Sequence, residues 1–232
     1  MANSEVIHNL AYEKLLDVLH LTHVFEENLN EEVIKGRVDY LKKYLEKVYH
    51  DDRKQYIYAI TLFTLFVENV SLFSQFYVIL HFNRNRGVLK DCAQQVQYTR
   101  NEEMLHAQVG IKLINTLREE YPELFDAELE SRIQGECMVS LFSESKVIDW
   151  IMDGYETDGL SAAILKEFIK KRMKESLGQI GFDHSMIEVN EELVEEAYWF
   201  DEALLGSTMS DFFYKRPVEY AKGKAVDVDD LF

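Results

Sequence analysis

The stretch Tyr56–Phe82, YIYAITLFTLFVENVSLFSQFYVILHF, holds one carboxylate, Glu68, near its middle, and no lysine, arginine or second acid. Burying a lone acid in such surroundings costs free energy unless something cationic meets it. To either side along the chain stand two Glu-x-x-His steps, Glu5-Val6-Ile7-His8 and Glu103-Met104-Leu105-His106. An isolated carboxylate on one helix, facing carboxylate–imidazole pairs on two others, is what a two-metal site inside a helical bundle requires.

The same stretch is long enough to cross a bilayer. Glu68 falls near its centre, however, and Thr61, Thr64, Asn69, Ser71, Ser74 and Gln75 dilute it. A helix apolar on all sides also describes the buried centre of a large bundle, and that is the reading adopted. The chain has 232 residues and a mass of 27.3 kDa, enough for one sizeable core. Two prolines and ten glycines leave few helix breakers. A net charge of −17 lacks the basic footprint of a nucleic-acid binder. Cys92 and Cys137 form no spaced motif and read as reduced thiols. The opening residues, MANSEVIHNL, have neither a basic region nor an apolar run, so no secretory signal is expected and the chain is placed in the cytoplasm.

Nearly everything reads as helix, giving an all-α fold class. Helices are expected over 4–24, 31–48, 53–83, 88–119, 123–153, 160–178 and 190–205. The Asp51-Asp52 pair marks the entry to the buried helix, and Gly154 and Gly159 separate two of the later ones. From Phe213 the sequence loses periodicity, so residues 1–212 are expected to form the helical domain and 213–232 a mobile tail.

Glu-x-x-His alone is a weak signal, because this composition produces about one acid-x-x-His match by chance. Asp17-x-x-His20 is a third match. Twelve residues of helix rotate it by about 120° from Glu5 and His8, so it is assigned to a surface or helix-end interaction. Within Glu5–His8 the i,i+3 spacing puts both side chains on one face. Tyr12 follows one turn later on that face, either as a core phenol or as a phenol held near a redox metal. Glu103 and Glu102 lie three and four residues before His106. Either can serve as the ligand, leaving the other to orient the imidazole through its free N–H. Oxygen and imidazole donors without thiolate favour iron or manganese over structural zinc. His23, His50, His81 and His184 have no carboxylate at ligand spacing and are expected to be structural or surface residues, and Trp150 and Trp199 to be packing residues.

At these residues the chain resembles the small, radical-generating subunit of class I ribonucleotide reductase. EVIHNLAY is similar to the family's segment in which a ligand pair precedes the radical tyrosine by one turn. Glu68 stands where the family places its isolated glutamate. NEEMLH resembles the second ligand pair and selects Glu103 over Glu102. DFFYKRPVEYAKG followed by DVDDLF resembles the family's C-terminus.

The resemblance implies a ferritin-like helical bundle, a homodimer, and two iron ions or an iron–manganese pair held by Glu5, His8, Glu68, Glu103 and His106. It implies that Tyr12 is oxidised to a stable radical and that Tyr220 relays it to the large subunit, where ribonucleotides are reduced. The tail, with Leu231 and Phe232 as apolar anchors, would dock there. Two departures stand out. Glu102 replaces the family's usual aspartate. A further metal-binding acid and the tryptophan of the relay lie, in the family, upstream of the first Glu-x-x-His. A C-terminal part of a split or truncated subunit, without the family's N-terminal helices and completed by a separate N-terminal piece, is therefore expected. Nucleic acid and membrane are not expected partners. Two other readings compete: a different ferritin-like iron oxidase, with no use for Tyr12 or the tail, and a metal-free helical partner protein.

Overall fold

The structure, a computed structural model, describes residues 2–45 and 52–201. Among these no strand occurs; an isolated bridge joins Thr157 and Leu160. The helices are α1 (Ala2–Val18), α2 (Thr22–Asn28), α3 (Glu32–Leu45), α4 (Arg53–Thr61), α5 (Phe73–Arg86), α6 (Lys90–Glu120), α7 (Ala127–Met152), α8 (Ala162–Gln179) and the short α9 (Glu191–Glu195). A π-helical segment, Leu62–Ser71, joins α4 to α5.

Side chains that the sequence places at the entries start several of these helices. Asp52 accepts from the Gln55 amide at 2.9 Å, Asp126 from Leu129 at 3.1 Å and Ser161 from Ile164 at 3.2 Å, each satisfying an amide that the first turn leaves open. Asp52 thus opens the buried helix, as its position in the sequence suggested. At the other end of that helix Gly87, with φ of +66°, takes the left-handed turn after α5.

The π segment, continuous with α4 and α5, is the centre of the bundle. Leu62, Leu65, Phe66, Val70 and Phe73 are fully buried, and the segment packs against α6, α7 and α8. By length and composition Arg53–Arg86 could cross a membrane, yet most of its apolar window is buried inside the bundle, as in a core helix. Thr61 and Thr64 donate their hydroxyls to the carbonyls of Ile57 and Ile60, at 2.8 and 2.7 Å. Such back-bonding competes with the regular ladder where the helix widens. Gly110 of α6 lets the two helices close up: a Cβ there would lie 2.4 Å from the Thr64 Oγ1.

The helix expected over 4–24 is two. His20 adopts φ of +56° and its amide bonds to the Asp17 carbonyl at 3.1 Å, a tight turn that ends α1 and redirects the chain into α2. Asp17 pairs with Lys14 at 2.6 Å on the surface, away from Glu5 and His8. The other boundaries shift by a few residues. The helix expected over 190–205 is represented in the main unit by α9 alone. Residues 198–201, described as part of a second unit, are helical, with the Trp199 and Phe200 rings edge-on and 5.7 Å apart. The tail expected over 213–232 lies outside the described residues.

Candidate metal centre

Three elements deliver the acids and imidazoles: α1 carries Glu5 and His8, the π segment Glu68, and α6 Glu103 and His106. One ligand atom each from Glu5, Glu68, Glu103 and His106 lies within 4.8 Å of the others. His8 joins through Glu103, whose Oε1 is 3.1 Å from the His8 Nδ1, and the two imidazole centroids are 6.5 Å apart. Glu68, Glu103, His8 and His106 are buried, while the Glu5 side chain keeps 40% of its surface exposed.

Both imidazoles point the same nitrogen inward. His106 Nδ1 faces Glu5 at 3.1 Å, Glu103 at 3.3 Å and Glu68 at 3.6 Å, while its Nε2 meets the Ser4 hydroxyl at 3.1 Å. His8 Nδ1 faces Glu103 and, at 3.6 Å, Glu5, while its Nε2–H donates to Glu102 at 2.6 Å. An imidazole held from outside through one nitrogen, with the other turned toward clustered carboxylates, is arranged as a ligand. Glu102 therefore orients His8, across the helix pair, and not His106. One residue of helix turns it about 100° from the buried Glu103, toward the edge of α1.

Among the described residues, every ion pair formed by Glu5, Glu68 and Glu103 is with an imidazole. Burial, followed by the charges of Glu103 and Glu5, pushes Glu68 up to about 8. Burial, followed by Glu5, pushes Glu103 up to about 7, against the opposing pull of His8. Burial holds the His106 imidazole below its usual range. Both carboxylate oxygens of Glu68, together with Glu5 Oε1 and His8 Nδ1, are buried without a hydrogen-bond partner. Acids crowded together with orphaned oxygens, and paired with no lysine or arginine among the described residues, fit a bound cation. Oxygen and imidazole donors fit iron or manganese.

Tyr12 is half-buried on α1. Its phenol donates to Thr99 Oγ1 at 3.2 Å, and the Thr99 hydroxyl in turn donates to the Gln95 carbonyl at 3.2 Å. Burial, and to a lesser degree the Glu103 charge, raises the phenol's pKa against the pull of Thr99. Thr99 lies one turn before Glu103 on α6, a spacing legible in the sequence. Ser4 had no such signal, since its contact with His106 spans 102 positions. Of the remaining histidines, His81 is buried and stacked against Tyr77, His23 is exposed, and His50 lies outside the described residues. Trp150, expected in packing, is 38% exposed. Cys137 is a buried free thiol and Cys92 a half-buried one. Tyr220, Leu231 and Phe232 are outside the described residues.

A family model described as the ribonucleotide reductase small chain matches residues 1–190. A protein described as a probable ribonucleoside-diphosphate reductase small subunit of Invertebrate iridescent virus 3 is 26% identical over 94% of this chain and 61% of its own length. A ribonucleoside-diphosphate reductase subunit beta of Aquifex aeolicus is 31% identical over 50% of this chain and 16% of its own. The chain thus spans about three-fifths of the viral relative and a smaller part of the bacterial one. A solved structure from Bacillus halodurans, described as a putative class I ribonucleotide reductase, superposes with a TM-score of 0.74. It is 20% identical, with 85% of this chain and 70% of that one covered, a likeness of fold.

Proposed function

The chain belongs to the ribonucleotide reductase small-chain family, and from that premise we propose that it holds a dimetal site and generates the tyrosyl radical used by a large subunit to reduce ribonucleotides. The observation that carries the reading is Glu68: a buried carboxylate with both oxygens orphaned, meeting Glu5, Glu103 and His106 within 4.8 Å.

Glu5, Glu68, Glu103 and His106 would hold one ion, and His8 with Glu103 and Glu5 would reach a second. Two iron ions, or iron with manganese, would supply an oxidant drawn from dioxygen. Glu102 and Ser4 fix the two imidazoles from outside, so that each keeps Nδ1 for the cluster. Tyr12 is the residue that yields an electron and its phenolic proton. Thr99, accepting from the phenol, fixes its oxygen on the side of α6 that carries Glu103. The ring is half-buried, which limits its contact with solvent, a condition for a radical that persists.

The exposed corner of the site is Glu5, and Val6, Ile7 and Leu10 beside it are more than half exposed. A sixth donor, an acid from outside the described residues, would close that corner. The chain is further proposed to form a homodimer, to work in the cytoplasm, and to dock on the large subunit through its tail, with Tyr220 relaying the radical.

The test is loading with ferrous iron, with or without manganese, in the presence and absence of the N-terminal segment of a family relative, followed by oxygen. A tyrosyl signal in electron paramagnetic resonance that Tyr12→Phe abolishes, with metal content unchanged, is the expected result. A signal that survives Tyr12→Phe, or a purified chain that takes up neither metal, sinks the reading.

A further inference from the structure

A π-helix is rare and is found mostly as single-turn bulges, so a ten-residue run of i→i+5 bonds calls for outside support. Two arginines from opposite neighbours reach the last turn of this one. From α8, Arg172 is buried and donates through Nε to the Asn69 carbonyl at 2.8 Å and through Nη2 to the Asn69 Oδ1 at 2.6 Å. The Asn69 amide group is fixed in turn, donating to Ser176 at 2.8 Å. The guanidinium lies 3.7 Å from the Phe73 ring centroid, which holds its plane. From α3, Arg37 donates through Nη2 to the Ser71 carbonyl at 2.7 Å and to Gln75 Oε1 at 3.3 Å, while its Nε faces the buried Glu144 at 3.0 Å.

Glu68 immediately precedes Asn69 and looks the other way, toward α1 and α6. The two carbonyls gripped by the arginines are thus one and three residues beyond the carboxylate at the centre of the cluster. We propose that Arg37 and Arg172 form a two-sided carbonyl clamp that keeps Leu62–Ser71 π-helical and thereby aims Glu68 at Glu5, Glu103 and His106. They are positioning residues, since neither touches the cluster. The rotation per residue is smaller in a π-helix than in an α-helix. Relaxation of the segment to α would therefore swing Glu68 relative to α5 and to α6. The planar guanidinium fork meets a carbonyl and a second acceptor at once, which an ammonium cannot do with the same fixity.

The inference rests on the dimetal reading for its consequence, though not for the clamp itself. Arg37→Lys and Arg172→Lys keep the charge beside Glu144 and Phe73 but lose the fork. Asn69→Ala, which removes only the side-chain leg, serves where either lysine variant fails to fold. Ile133→Val, a core change on α7, controls for general loss of stability. Two quantities are measured on the folded chain: amide hydrogen exchange over residues 62–71 without metal, and affinity for Co2+ together with its visible absorption band.

The clamp variants are expected to exchange about tenfold faster in this segment than Ile133→Val, to bind Co2+ about 10- to 100-fold more weakly, and to show an altered band. Exchange no faster than in the control overturns the clamp. Faster exchange with unchanged Co2+ affinity and band overturns the aiming of Glu68. If the unmodified chain takes up no Co2+, the dimetal reading fails and the aiming with it, while exchange still decides whether the clamp exists.

Discussion

At the level of single residues, the buried acids make stability and cation uptake respond oppositely to pH. Glu68 and Glu103 ionise only near 8 and 7 in the folded metal-free chain, against an ordinary value of 4.5. Between those values the folded chain holds protons that the unfolded chain has lost. Their contribution to stability is therefore complete below about pH 4.5 and is lost as pH rises through 7 and 8. Glu68→Gln should flatten this dependence in thermal melts between about pH 5.5 and pH 8.5; an unchanged slope would refute the assignment. A cation competes with the same protons, so Co2+ affinity should strengthen over that range, and calorimetry should detect protons released on binding. Spacing before His106 left Glu103 and Glu102 open, and the resemblance of NEEMLH to the family's ligand pair favoured Glu103. The role of Glu102 was not legible, because its partner, His8, sits 94 positions away.

At the level of elements, the close approach of α6 to the π segment depends on the missing side chain of Gly110. A methyl there would lie 2.4 to 2.7 Å from three Thr64 atoms. Gly110→Ala should therefore destabilise the fold by about 1–3 kcal/mol through overpacking, read as a lowered urea midpoint; an unaltered midpoint would show that the helices can part freely. Ser161→Ala, which strips the cap of α8, should cost about 1 kcal/mol, without altering Co2+ uptake. Helix locations were readable from apolar spacing and, for the buried helix, from the Asp51-Asp52 entry, while the cap at Asp126 emerged only from the structure. The π conformation was not readable, since its arginine supports arrive from α3 and α8.

At the level of the whole molecule, the acids and imidazoles that come together are drawn from α1, the π segment and α6, elements up to about a hundred residues apart. Metal at about a hundred times its dissociation constant should add about 2.7 kcal/mol, raising the melting temperature by about 5–10 °C for a chain of this size. A melting temperature unmoved by Co2+, Mn2+ or Fe2+ would contradict a preformed site. Removing residues 220–232 should abolish binding to a large subunit in sedimentation or pull-down measurements. It should leave metal content unaltered, because every proposed ligand precedes Ala107.

The sequence by itself pointed to the all-helical class and to the acid and imidazole steps that come together in the fold, while the choice of Glu103 over Glu102 came from the family resemblance. Helical periodicity and i,i+3 spacing are local rules, and one acid in an otherwise apolar run calls for a cation wherever it is buried. Only the tertiary structure decided that Glu102 and Ser4 fix the imidazoles, that Thr99 holds the Tyr12 phenol, and that the helix bearing Glu68 widens. Those outcomes depend on distance and orientation between elements far apart in the chain, which set hydrogen-bond partners and which no spacing along one helix encodes.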